Sequence, residues 1–215
     1  MKTLRNQSGR SMIEMLGVLA IIGVLSVGGL AGYSKAMDKY RINETINQII
    51  YMETNIHNLF FTQPNYSDLG VRGLLASTDN ISRKLNDKAN FIPNSVVKNG
   101  YKNLYQGDIG MGYLVAGDTT KSFYIKYFSI PQEACIAIVT HNWGNVEGFV
   151  SMRVEGSSDG GSACTYNFEC TGRDTARAYA QGIGLFAAKY MPLTPEQAIT
   201  VCDTDKNNMI SFKFR

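Results

Sequence analysis

Histidine is nearly absent from this chain: His57 and His141 are the only two. That leaves few general bases and few nitrogen ligands for a metal. Charge is sparse as well. Charged residues make up 18% of the chain, the formal net charge is +3, and no basic run exceeds two residues. A polybasic nucleic-acid or membrane-binding surface is therefore not expected. No Ser/His/Asp set, phosphate-binding glycine loop or CxxC pair occurs. Proline is absent from the first 63 residues, so nothing there interrupts a helix by removing a backbone donor. All four cysteines lie in the C-terminal part.

One long apolar run is present. Met15 to Ser34 reads MLGVLAIIGVLSVGGLAGYS and carries no charge. At about 1.5 Å per residue a helix of that length crosses the ~30 Å hydrocarbon core of a bilayer. No comparable run follows. A secretory signal peptide would place Lys2, Arg5 and Arg10 in its basic region, but the run is long for that role and Glu14 sits at its start. A plain signal anchor explains the three cations but not the carboxylate, which is costly at that depth.

The segment Gly9-Arg10-Ser11-Met12-Ile13-Glu14-Met15 resembles the prepilin signature: a short basic leader ending in Gly, a cut, four residues, a Glu, then an apolar helix. Ala20-Ile21-Ile22-Gly23 is similar to the stretch at that place in type IV pilins and pseudopilins. Arg10 departs from the family pattern, which has Phe or another apolar residue after the cut. The resemblance implies cleavage between Gly9 and Arg10 by a prepilin peptidase, methylation of the new amine on Arg10, and insertion in the bacterial inner membrane before assembly. It further implies that Glu14 meets the N-terminal amine of a neighbouring copy. A carboxylate among apolar side chains needs a cation, so that pair would set axial register. The competing explanation is a Glu favoured by the dipole at a helix N-terminus. Many family members carry a Pro in this region and this chain has none, which turns attention to Gly28-Gly29. It is a candidate for local softening, with close helix packing as the equal alternative.

Past Tyr33 the pattern becomes amphipathic. Ile42, Ile46, Ile49, Ile56 and Phe60 form one stripe, with Lys39, Arg41, Glu44 and Gln48 expected largely elsewhere, and Pro64 ends it. The expectation is one helix from about Ser11 to Phe60. Its parts are residues 10–34 as the membrane and filament-core half, after a 1–9 leader, and residues 35–63 as the half docked on a head. Residues 64–215 form that head. Ser82–Ala89 and segments starting at Pro131 and Pro195 read as short helices. Strands are expected at Gly112–Ala116, Ser122–Phe128, Gly148–Val154 and Asn208–Phe214, with a turn at Gly117-Asp118. Arg173–Lys189 reads as a further helix, weakened by Gly182 and Gly184. The class is α+β, a long helix packed on an antiparallel sheet. It is the pilin fold on the resemblance.

Four cysteines in an exported head permit three disulfide pairings. The favoured one joins Cys135 to Cys202, each in or at the end of a short Pro-started helix, and Cys164 to Cys170, only six positions apart. The outer loop resembles the disulfide-bounded C-terminal region of pilins. With the head's size it resembles the type IVb class, whereas the nine-residue leader resembles type IVa. A zinc site lacks ligand spacing. Asp203, Asp205 and Asn207 alternate as in a calcium loop, but Asn208 replaces the Gly and Phe214 stands where a bidentate Glu belongs, so a polar turn is the better reading. Trp143 and the tyrosines read as core or subunit contacts. A cysteine nucleophile served by His141 would need a thiol that escapes pairing.

The reading is thus a filament subunit for adhesion, aggregation or motility, without metal or cofactor, and not an enzyme. Its partners would be copies of itself, the prepilin peptidase and an inner-membrane assembly platform, with no nucleic acid. It would end on the cell surface as a pilus. The alternatives are a minor pilin or pseudopilin of a secretion or DNA-uptake machine, and a signal-anchored periplasmic enzyme or binding protein.

Overall fold

The computed structural model describes residues 12–70, 73–113, 121–155, 184–188, 191–204 and 207–215. The chain divides into two compact units, one reaching Arg41 and one covering Ile42–Arg215.

Helix α1 runs over Met12–Phe60. In the first unit its described part is apolar and Gly-rich as far as Ser34. In the second unit its stripe is buried: Ile49, Met52 and Ile56 are inaccessible to solvent and join Ile46 and Phe60 in the head core. Spacings of three and four put these residues on one helix face, which is why burial follows the stripe. Gln48 differs from expectation. It lies on the buried side, where its amide nitrogen donates to Ser95 Oγ at 3.1 Å while its Oε1 has no partner among the described residues, so hydrogen bonding offsets only part of the cost of burying the amide.

The stretch after α1, where a short helix was expected at Ser82–Ala89, holds further elements. It contains a 3₁₀ turn at Ser67–Leu69, strand β1 (Gly73–Leu74), α2 (Ile81–Ala89) and α3 (Asn94–Lys98). Asn80 caps α2 by accepting from the Arg83 amide, and Asn90 ends it in the left-handed conformation.

Strands β2 (Ile109–Tyr113), β3 (Phe123–Ile130), β4 (Phe149–Glu155), β5 (Gly184–Ala187) and β6 (Asn208–Phe214) complete the head, with α4 (Gln132–Val139) and α5 (Pro195–Val201). The six-stranded sheet has the order β1-β2-β3-β6-β4-β5 and every pairing is antiparallel. The C-terminal strand is therefore central. Phe212 lies opposite Ile125 on one side and Met152 on the other, and Ile210 opposite Tyr127 and Val154. These residues share one core with the α1 stripe. The alternate residues Lys126, Arg153, Ser211 and Lys213 are also buried, and all three cations are engaged.

Two expectations need correction. The strand placed at Gly112–Ala116 begins earlier, at Ile109, because Ile109 and Met111 are the inward pair opposite Tyr127 and Ile125; residues 114–116 and the Gly117-Asp118 turn lie outside the described residues. The helix placed at Arg173–Lys189 fails at Gly184–Ala187. That stretch is β5, paired with β4 from Ser151↔Ala187 to Val154↔Gly184. An open sheet edge supplies its backbone partners, whereas glycine weakens a helix there.

Candidate functional site

Three places bear on function: the apolar half of α1, the disulfide, and a polar groove on the head. Gly9 and Arg10, the expected cut and methylation positions, lie outside the described residues. Glu14 lies in the first turn of α1 and leads an apolar surface that is exposed throughout, from Met12 and Ile13 through Leu16, Ile21, Val24 and Leu30. A Cβ added at Gly17, Gly23, Gly28, Gly29 or Gly32 would meet no atom within 4 Å. These glycines therefore serve no packing within the chain. Ser26 returns its hydroxyl to the Ile22 carbonyl at 2.7 Å, which satisfies the one polar side chain in mid-run. An apolar surface of this extent is unfavourable in water and calls for lipid or other helices. Small residues let such helices approach closely.

Cys135 and Cys202 are bonded, with Cα atoms 5.9 Å apart and a sequence separation of 67. Cys135 lies within α4 and Cys202 caps the end of α5, two short helices that start after Pro or with it. Pro131 precedes α4, and Pro195 is the first residue of α5, where Thr194 and Gln197 make a reciprocal capping box. Gln132 adds a bond to the Cys202 carbonyl at 3.1 Å. Cys164 and Cys170 lie outside the described residues. With both thiols oxidised, neither Cys135 nor Cys202 can act as the nucleophile beside His141. That histidine instead packs edge-on to Trp143, and burial lowers its pKa from the ordinary value.

The Asp203 turn is closed by Asn208. Its side chain accepts from the Asp203 amide at 2.7 Å and donates to the carbonyls of Asp203 and Ile130. That use of Asn208 is structural, as expected of a polar turn leading into β6. No group of three His, Cys, Asp or Glu suited to a metal occurs among the described residues.

Glu53 was not singled out by the sequence reading. It is 3% exposed and borders a groove of about 330 Å³ between α1 and the segment Asn145–Glu147. One carboxylate oxygen accepts the Thr54 hydroxyl at 3.1 Å. Burial raises its pKa above the ordinary carboxylate value and Glu147 adds to the rise, while the Thr54 bond and His57 oppose it. A signal was available. Glu53 falls four residues after Ile49 and three before Ile56, so the apolar stripe runs through a carboxylate.

The comparisons with known proteins agree with this architecture. The bundlin family model matches residues 34–214. The major structural subunit of the bundle-forming pilus of Escherichia coli O127:H6 is 24% identical over 210 residues, covering 96% of this chain and 93% of that one. The corresponding subunit of Escherichia coli O111:H- is 23% identical over the same span and coverage. Among solved structures, TcpA, a type IV pilin from Vibrio cholerae El Tor biotype, superposes with a TM-score of 0.55 at 14% identity. It covers 82% of this chain and 99% of that one, and shows a common fold. The chain belongs to the bundlin family of type IV pilins, which are structural subunits of a pilus and not enzymes.

Proposed function

We propose that this chain is the major subunit of an extracellular type IV pilus, assembled from copies of itself through the N-terminal half of α1. The observation that carries this reading is the apolar surface of Met12–Leu30, exposed throughout and headed by the single carboxylate Glu14. Lipid covers that surface in the inner membrane before assembly, and neighbouring helices cover it in the filament. Glu14 then pairs with the amine freed by prepilin peptidase between Gly9 and Arg10, and the assembly platform passes the subunit from bilayer to filament. Relatives that are major subunits of a bundle-forming pilus support the major role and the bundling of filaments in adhesion or aggregation. The large Cys135–Cys202 loop favours the type IVb class over type IVa.

Mass spectrometry of the shed surface fraction, with electron microscopy of the same material, tests the reading. The expected result is filaments in which this chain is the dominant protein. Filaments in which it is a trace component would assign it instead to a minor pilin. Retention of the chain in the membrane with no filaments would exclude both.

A further inference from the structure

The Glu53 groove lies outside the assembly features already described. The side chain of Glu53 is almost wholly buried and lines the groove, yet no cation is within ion-pair distance of it among the described residues. A buried carboxylate without a cation is unfavourable when charged, and among the described residues none supplies that cation to Glu53. The groove wall has the chemistry for a long cationic side chain. Ile50 and Val146 offer apolar contact for a methylene stem, and Asn58, Asn145 and Glu147 offer oxygens near the charge. The same chain carries the complement. Between Asp79 and Lys102 lie Arg83, Lys84, Lys88, Lys98 and Lys102 against Asp79 and Asp87. Lys84, Lys88, Lys98 and Lys102 are exposed, and Lys84 makes only a surface pair with Asp79 at 3.8 Å.

We propose that the Glu53 groove is a socket for a lysine from the Lys84–Lys102 stretch of a second copy of this chain in the filament, a head-to-head contact additional to the helix core. The proposal rests on the filament reading above. Lysine suits the socket because its charge is compact and its stem flexible. Burial of Glu53 supports the same conclusion: its raised pKa marks a carboxyl that gains from a cation, with Thr54 and His57 facing it from α1 and Glu147 from the opposite wall. Lysine entry would complete the ion pair and desolvate both partners together.

Filaments grown from a mixture of unlabelled and ¹⁵N-labelled full-length chains provide the test. They are treated with a water-soluble carbodiimide, and linked peptides are mapped by mass spectrometry. The expected product joins Glu53 to Lys84, Lys88, Lys98 or Lys102, with one labelled and one unlabelled peptide in the pair. Glu53 links confined to a single label, or absent while other links between subunits form, overturn the socket. The second measurement is charge reversal. Glu53→Lys lowers filament yield at least tenfold, and one Lys→Glu reversal among the four restores it. Undiminished yield from Glu53→Lys, or restoration by none of the four, also overturns it. Disassembly of wild-type filaments by a chelator, without the lysine link, gives the groove to a divalent cation and rejects lysine. Wild-type chains that form no filaments at all refute the subunit reading beneath the proposal.

Discussion

Cys135 in α4 is bonded to Cys202, the residue that ends α5 just ahead of the central strand β6. The bridge therefore anchors the approach to the strand that both halves of the sheet depend on. Closing a loop with a separation of 67 limits the unfolded chain, an effect of about 4 kcal/mol in the chain-entropy model. Replacing both cysteines by Ser lowers head stability by roughly that amount, read by denaturant unfolding. Limited proteolysis of the double variant releases Asn208–Phe214 early. The proposed small bridge, Cys164–Cys170, closes a much shorter loop, so its double Ser variant stays closer to wild type. Equal resistance of the two variants would contradict the ranking.

Processing between Gly9 and Arg10 makes Arg10 the first residue of the mature chain, carrying a methylated amine. Edman degradation or intact-mass measurement of assembled material reads this directly. A bulky residue at Gly9 leaves uncut precursor in the inner membrane. A mature start at Met1, or one beyond residue 30, rules out the prepilin reading.

Glu14→Ala removes a carboxylate from the head of the apolar run, so insertion becomes easier. Filament yield nevertheless falls strongly, because the register pair is lost. Membrane fractionation and filament counts separate these outcomes. Glu14→Asp gives intermediate yield, since the shorter side chain reaches less far. Normal assembly by Glu14→Ala would leave only the helix-dipole role.

The parts of this fold legible in sequence are those where pattern and burial coincide. Asn208–Phe214 alternates because successive side chains point to opposite faces of the sheet, Ile210, Phe212 and Phe214 into the core, and its bounds match the expected strand. The stripe Ile46–Ile49–Ile56–Phe60 was equally visible, as was the bridge between two Pro-started helices. What was missed depended on distant partners. Gly184–Ala187 becomes a strand only because the edge of β4 is open to it. β1 has two residues and no pattern to read. Glu53 was visible as a polar residue within the stripe, but its burial requires the Asn145–Glu147 segment to come against α1 from far along the chain.

Glu53 gives opposite effects in monomer and filament. Its pKa in the folded head lies above the ordinary value of 4.5, so between those two values the folded state binds more protons than the unfolded state. Stability therefore falls as pH rises through that window. The favourable contribution is fully present below the unfolded value and gone above the folded one. Glu53→Gln keeps the size of the side chain and removes the charge. In detergent-solubilised monomer at neutral pH the variant should melt higher than wild type, and the gap should close at about pH 4, near the unperturbed carboxylate range. In filaments the sign reverses, because a neutral amide cannot pair with the incoming lysine. Glu53→Gln filaments should then dissociate more readily than wild type at neutral pH, and should lack the wild-type weakening on acidification. Thermal melts of the monomer and dissociation curves of the filament across the same pH range check both halves. A monomer melting curve unchanged by Glu53→Gln at every pH would show that the buried carboxyl carries no cost when charged.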